Sequence, residues 1–406
     1  MDRMKMSDEE LNNLALDSQA VYYGPDRPSQ SINAPIFMSS NFEYDKEIYQ
    51  RVIDGERKEV NIYSRCGNPT EYKLEEQIKL LHKADECLVT SSGMAAISTF
   101  LFAFLKSGDH IVADWTTYSS THEMLDHRWT DFGIETTFVD TSDLKQVEEA
   151  IKPNTKLLYL EAIANPTMKV SPIKKLVELA HSKDIPVLCD NTFASPYVLR
   201  PIELGVDIVI ESASKWIGGH GDVIGGAIAI KFGLIKEDFM YYMRWNSLTK
   251  LGGNISPFNA WLLLRGIQTL AVRMEKSCES AKILAAHLEK HPDVQKVWYP
   301  GSESHPQHDI VKEQMPMGGA MLAFEIGDEA RAVRVLDSTK LVSFAGSLGG
   351  VRTTCQVPST MAFLDVPADQ KEKMNIRDGL IRISVGLENV DDLIKDFDKA
   401  LEATKN

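Results

Sequence analysis

Cysteine is scarce. There are five in 406 residues, at 66, 87, 189, 278 and 355, with no Cys-x-x-Cys pair and no metal-ligand spacing. An odd, sparse count excludes a disulfide-stapled scaffold and suits the reduced cytoplasm; no metal is expected. Long apolar runs are missing too. The longest, Met94 to Leu105, contains Ser98 and Thr99 and is too short to span a bilayer. The first ten residues are polar and contain no signal-peptide core, so neither membrane nor export is expected. Basic blocks are absent: 44 Lys and Arg stand against 58 Asp and Glu, a net charge of -14. That balance argues against a general nucleic-acid binder and for a soluble, self-repelling surface. Internal repeats and low-complexity tracts are also absent.

What is present is the composition of an ordinary globular protein, 43% hydrophobic and 25% charged, in a chain long enough for two domains. Its centre is the stretch Asp207-Ile-Val-Ile-Glu-Ser-Ala-Ser-Lys215-Trp-Ile-Gly-Gly-His-Gly-Asp-Val-Ile-Gly-Gly226. An apolar run ends in two hydroxyl residues, Ser212 and Ser214, and a lysine; a glycine-rich turn leads to a second apolar run, Ala227 to Ile230. A lysine at the mouth of a buried strand is costly unless it is neutralised or paired. A desolvated lysine has a lowered pKa and is nucleophilic, and an imine to an aldehyde cofactor is one use for it. The plain alternative is a surface lysine after a strand. Upstream, the apolar run from Ile185 ends at Asp190. Continuous apolar strands belong to parallel sheets covered on both faces, and such sheets bind ligands at the carboxyl ends of their strands. An Asp and a Lys at two such ends is the arrangement pyridoxal phosphate (PLP) needs, because the carboxylate keeps the pyridine nitrogen protonated.

Asp190-Asn-Thr-Phe-Ala-Ser-Pro-Tyr197 and Ser212-Ala-Ser-Lys-Trp-Ile-Gly-Gly-His-Gly-Asp-Val resemble the Cys/Met-metabolism PLP enzymes. That group includes cystathionine γ-synthase, cystathionine γ- and β-lyases, methionine γ-lyase and O-acylhomoserine sulfhydrylases. The resemblance runs from about residue 18 to the C-terminus. Its motifs are long, whereas a dinucleotide fingerprint fails: Gly219-x-Gly221 is followed by Ile224 where the third glycine should be. The fold implied is α/β, the PLP-dependent transferase fold type I (aspartate aminotransferase-like). It combines a mostly parallel sheet domain with a smaller α+β C-terminal domain. The boundaries expected are an N-terminal arm over 1–62 contacting a neighbouring subunit, a PLP-binding domain over 63–258 and the C-terminal domain over 259–406. A homotetramer, a dimer of dimers with shared active sites, is implied.

The arm shows little periodicity and ends at Tyr63-Ser-Arg65. The resemblance gives Tyr63 and Arg65 to the cofactor phosphate of the neighbouring subunit, a task suited to arginine's planar fork. Asn68-Pro-Thr70 is turn chemistry, with Thr70 a candidate cap for a following helix. Glu86 to Thr90 reads as a strand, Ser91 to Met94 as a loop and Ala95 to Leu105 as a helix. Free N–H groups and the helix dipole make that junction an anion site. The resemblance assigns the phosphate to the backbone of Gly93 and Met94, helped by the Ser212 and Ser214 hydroxyls. His110 to Asp114 is the next strand. Tyr118 beyond it matches the tyrosine that stacks on the pyridine ring and serves the leaving group. There the chain departs from its relatives, reading Tyr118-Ser-Ser120-Thr where Tyr-Gly-Gly-Thr is common. A helix over 144–151, a strand over 156–160 and a helix over 173–182 continue the βα alternation. Asn165 matches the residue that bonds the cofactor's ring hydroxyl, with Glu161 supporting the strand end.

From about Asn259 the pattern changes to a long helical stretch. Strand-like pieces follow at 294–299, 320–326, 341–344 and 380–385. Val390, Leu393, Ile394, Phe397 and Leu401 then fall at helical spacing. Arg382 lies inside an apolar strand, and a buried arginine demands an anion. The resemblance gives Arg382 and Ser347 the substrate carboxylate. Arg352 stands where many cystathionine-handling relatives carry Glu, which favours a substrate with a neutral or anionic far end. The implied activity is α,γ-elimination on methionine-like thioethers, a C–S lyase. The alternatives are γ-replacement on O-acylhomoserine or a related activated homoserine, or cystathionine cleavage.

Overall fold

The computed structural model describes residues 6–22, 31–55, 60–364, 366 and 368–405. Seven strands form the larger sheet: β1 (Glu86–Thr90), β2 (His110–Asp114), β3 (Glu135–Val139), β4 (Thr155–Glu161), β5 (Val187–Asp190), β6 (Ile208–Glu211) and β7 (Gly226–Ile230). Their order is β1-β7-β6-β5-β4-β2-β3. All neighbours are parallel except β7, which runs antiparallel to both β1 and β6. Every residue of β2, β6 and β7 is buried, as a sheet covered on both faces requires. The polar side chain of His110 is tolerated inside because its two ring nitrogens meet the hydroxyls of Thr155 and Thr137, at 2.7 and 2.8 Å.

The smaller sheet holds β8 (Lys296–Trp298), β9 (Met321–Glu325), β10 (Ser343–Phe344), β11 (Thr354–Gln356) and β12 (Leu380–Ser384), in the order β10-β11-β12-β9-β8. The tail helix Val390–Ala403 lays Leu393, Phe397, Ala400 and Leu401 on it, and Phe397 meets Phe324 edge-on at 6.0 Å. Two strands escape the sequence pattern. In β3 the residues Thr136 and Thr137 on a half-exposed sheet edge give no apolar run, and β11 is only three residues long. The long helical stretch is two helices, Pro257–Ile267 and Leu270–Leu288, broken at Gln268 and Thr269.

The first 62 residues are less irregular than expected. Helices occupy Asp8–Asn12, Leu16–Val21 and Lys46–Ile53. The second packs on its own chain: Ala20 is fully buried in the core, and Gln19 takes hydrogen bonds from Gln77 and Arg200. Six residues are too few to display a helical period, which is why the sequence hides this element. The cap of helix Pro69–His82 also differs. Asn68, not Thr70, is the N-cap, while the Thr70 hydroxyl bonds the backbone of Pro35 and Phe37.

Candidate active site

A cavity of about 680 Å³ opens where the carboxyl ends of β4, β5 and β6 face the smaller sheet. Lys215 enters it from a turn held on two sides. Trp216, buried beside it, donates its indole N–H to the Phe193 carbonyl at 3.1 Å. Arg273 donates to the Trp216 and Gly266 carbonyls, both at 2.8 Å. Gly219, at φ +73°, lies where any Cβ would strike the Arg273 guanidinium. On the far side Gly349, at φ +80°, brings its loop against the backbone of Lys215 and Trp216, where a side chain would not fit. Consequently Lys215 Nζ reaches Ser347 Oγ at 2.7 Å. Burial, helped by the nearby Arg382 cation, lowers the lysine's pKa from its ordinary value of 10.5.

Asp190 ends β5 in the same cavity, and its carboxylate accepts the Thr192 N–H at 2.9 Å. Burial pushes its pKa up to about 6, against the lowering effect of the Thr192 bonds. It has no cationic partner among the described residues, so a cation placed there would restore its ordinary charge. Thr192 also accepts the Ser212 N–H at 2.9 Å, which ties the β5 end to the β6 end. Helix Gly93–Phe104 begins at the cavity and is capped by Ser92, whose hydroxyl accepts the Ala95 N–H. Gly93 lies so near Ser212 that an added Cβ would stand 2.8 Å from the serine Cβ. The glycine therefore lets the helix N-terminus and the two serines share one small space. Ser214 is tied to Gly225 through both N–H and C=O.

Arg382 lies on β12, 4% exposed. It donates to Asn165 Oδ1 at 2.9 Å and to the Ser347 carbonyl at 2.6 Å, and its Nε has no partner. Phe193 lies under the guanidinium at 5.7 Å. No carboxylate among the described residues pairs with it, and burial draws its pKa down to about 10. A structural ion pair is thereby replaced by a cation waiting for an anion. Gln356 stands opposite Arg382 in the β11–β12 register and lines the same cavity, a contact the sequence did not disclose.

The cavity thus gathers Gly93, Met94, Tyr118, Asn165, Asp190, Ser212, Ser214, Lys215, Ser347 and Arg382. Tyr63 and Arg65 do not line it. Arg65 donates to the Thr249 carbonyl at 2.7 Å and lies 5.5 Å from the Tyr63 ring. Arg352 is exposed and absent from the lining, so a cation facing the substrate's far end has no counterpart in the wall. Sequence reading missed Thr192, Arg273 and Gln356, which meet Ser212, Trp216 and Arg382, each far along the chain.

The model of the Cys/Met metabolism PLP-dependent enzymes matches residues 17–402. The chain belongs to this family. It is 42% identical to an L-methionine gamma-lyase of Fusobacterium nucleatum subsp. polymorphum, over 91% of this chain and 93% of that one. It is 38% identical to a cystathionine gamma-lyase of Bacillus subtilis, over 93% and 96%. A Campylobacter jejuni structure described as an O-acetylhomoserine (thiol)-lyase, carrying a pyridoxyl-lysine monophosphate, superposes with a TM-score of 0.92 at 30% identity. That match covers 96% of this chain and 100% of that one. The protein is therefore a PLP-dependent enzyme of fold type I. The cavity fits the cofactor on its own terms: an amine of lowered pKa, a half-buried aspartate without a cationic partner among the described residues, and a glycine-opened helix N-terminus with two serines.

Proposed function

We propose that this enzyme is a carbon–sulfur lyase that performs α,γ-elimination on methionine-like thioethers. One observation carries the reading: the wall away from the strand ends is apolar. It is formed by Val223, Ile224, Leu348, Met361 and Ala362. The carboxyl groups lining the cavity among the described residues are those of Glu161 and Asp190, both at strand ends. A distal ammonium, as in cystathionine, has no acid to meet there, whereas an S-alkyl group loses only water. The same wall accepts an acyl ester, so γ-replacement on O-acylhomoserine is the second reading.

When bound, PLP supplies an electron sink for the charge left at the substrate's α-carbon. Asp190 would hold the pyridine nitrogen protonated, Asn165 the ring hydroxyl, and Gly93, Met94, Ser212 and Ser214 the phosphate. Arg382 and Ser347 clamp the substrate carboxylate, which fixes the Cα–H bond toward Lys215. Lys215, whose pKa burial and Arg382 lower, takes the Cα proton and returns protons along the carbon chain. Tyr118 delivers a proton to the departing sulfur. With water, methionine yields methanethiol, ammonia and 2-oxobutyrate in equal amounts. Incubation with methionine, cystathionine or O-acetylhomoserine, each with and without an added thiol, decides between the readings. Methionine is expected to be cleaved most efficiently. A thioether product formed only from O-acetylhomoserine and thiol would replace lyase by transferase.

Tyr63 and Arg65 complete a neighbour's phosphate site in this reading, within a cytoplasmic dimer of dimers. Support comes from the arm, where Ile32, Met38 and Ile53, 89%, 72% and 59% exposed, offer apolar surface to a neighbouring subunit. The five cysteines are all free, as a reducing compartment leaves them. Mixing inactive Arg65→Ala subunits with inactive Lys215→Ala subunits is expected to restore activity, because one of the two sites in each hybrid dimer is intact. A verified hybrid without activity refutes the sharing.

A further inference from the structure

Glu161 sits between the two halves of the site. It ends β4, whose neighbours in the sheet are β2 and β5. The loop after β2 carries Tyr118, and the loop after β4 carries Asn165. Across the β4–β5 register Glu161 stands beside Asp190. The two oxygens of its buried carboxyl group take one loop each. Oε1 accepts the Tyr118 N–H at 2.6 Å and Oε2 accepts the Asn165 N–H at 3.2 Å. Asn165 Oδ1 in turn accepts a hydrogen bond from the Arg382 guanidinium at 2.9 Å. A continuous path of three hydrogen bonds therefore joins the backbone of Tyr118 to the guanidinium of Arg382, with Glu161 as its middle member.

Each end of that path has a different task in the reaction proposed above. Tyr118 faces the leaving group and Arg382 faces the substrate carboxylate. Their separation decides whether a substrate held by its carboxylate also presents its sulfur to the tyrosine. The Tyr118 and Asn165 amides come from two different loops, so a carboxyl group gripping one from each ties the two loops at that distance. Burial, reinforced by the adjacent Asp190, raises the pKa of Glu161 well above the ordinary carboxylate range. The group has no cation to neutralise it among the described residues, and the two amides are the hydrogen bonds that orient its carboxyl group.

We infer that Glu161 is a positioning residue that couples the Tyr118 loop to the Asn165–Arg382 pair and so sets the spacing between leaving-group and carboxylate recognition. The kinetic part of this inference rests on the elimination reading; the structural part does not. Both are read from the PLP-loaded enzyme. Amide hydrogen exchange by mass spectrometry follows peptides over 115–120 and 162–167, beside kcat and KM for methionine.

Glu161→Gln keeps the shape but offers one acceptor and one donor, so one of the two N–H groups loses its partner. The peptide of that loop alone is expected to exchange faster, and kcat/KM to fall ~10-fold, the loss of about one hydrogen bond's alignment. Glu161→Ala removes both acceptors. Both peptides should then exchange faster and kcat/KM fall ~100-fold, with kcat and KM both affected because each end of the substrate is displaced. Glu161→Asp is expected to recover part of the activity by gripping one loop. Unchanged exchange in both peptides of the alanine variant would overturn the coupling. So would loss of the fold in the near-isosteric glutamine variant, which would mark Glu161 as a general stability element. If methionine is not a substrate of the wild type yet exchange changes as described, the elimination reading falls and the coupling stands.

Discussion

Lys215→Ala is expected to leave a folded protein with no measurable turnover and without the visible colour of covalently attached cofactor. The lysine has two tasks, attachment and proton transfer. Proton transfer by a positioned side chain alone is worth ~10²–10⁴-fold, so a fall of at least ~10⁴ is expected for the two together. Stability should move the other way. Folding lowers the pKa of Lys215 through burial and the nearness of Arg382. A lysine whose folded pKa lies below its unfolded value destabilises the fold fully below the folded pKa, and the cost fades as pH rises toward 10.5. The cofactor-free alanine variant lacks that cost. It is expected to melt at or above the temperature of the cofactor-free wild type near neutral pH, with the difference shrinking at alkaline pH. Wild-type activity in the variant would overturn the assignment. Melting well below the cofactor-free wild type would show that Lys215 is held for stability.

The sequence discloses this residue because a charge interrupts an apolar pattern. Lys215, Asp190 and Arg382 each end or break a run that must be buried, and each therefore requires a partner. Glycines disclose the turns, and their reason becomes visible only in space: Gly219 yields to Arg273, Gly349 to the Lys215 backbone, Gly93 to Ser212. What stays hidden is long-range. Gln356 faces Arg382 only through strand register, and Arg273 reaches the Trp216 carbonyl from a helix 57 positions on. Nothing in a local pattern marks either. The antiparallel β7 is likewise invisible, since a strand buried on both faces has the same composition in either direction. Arg352 is singled out only by the resemblance, as the position where many cystathionine-handling relatives carry Glu; its side chain is exposed and does not line the cavity.

Arg382→Ala is expected to lower kcat/KM for methionine by ~10²–10³-fold, mostly through KM, the loss that follows truncation of one partner in a buried charge pair. The structure gives two reasons for so large an effect. The guanidinium is buried without a carboxylate partner, so the substrate supplies its charge complement. It also props Asn165 and the Ser347 carbonyl, both of which lose their donor. Arg382→Lys restores the charge but not the planar fork, and it is expected to recover only a small part of the loss. An inhibitor that lacks the carboxylate separates the two reasons. Methionine amide should compete equally well in wild type and in the alanine variant if carboxylate binding dominates, and worse in the variant if propping of Ser347 dominates. A second readout needs no substrate. Arg382 is one of the two causes that hold the pKa of Lys215 down. In the cofactor-free alanine variant that pKa should therefore rise, and the pH at which added PLP attaches at half its maximal rate should shift upward. A variant with unchanged KM and an unshifted attachment profile would show that Arg382 faces neither the substrate nor the lysine.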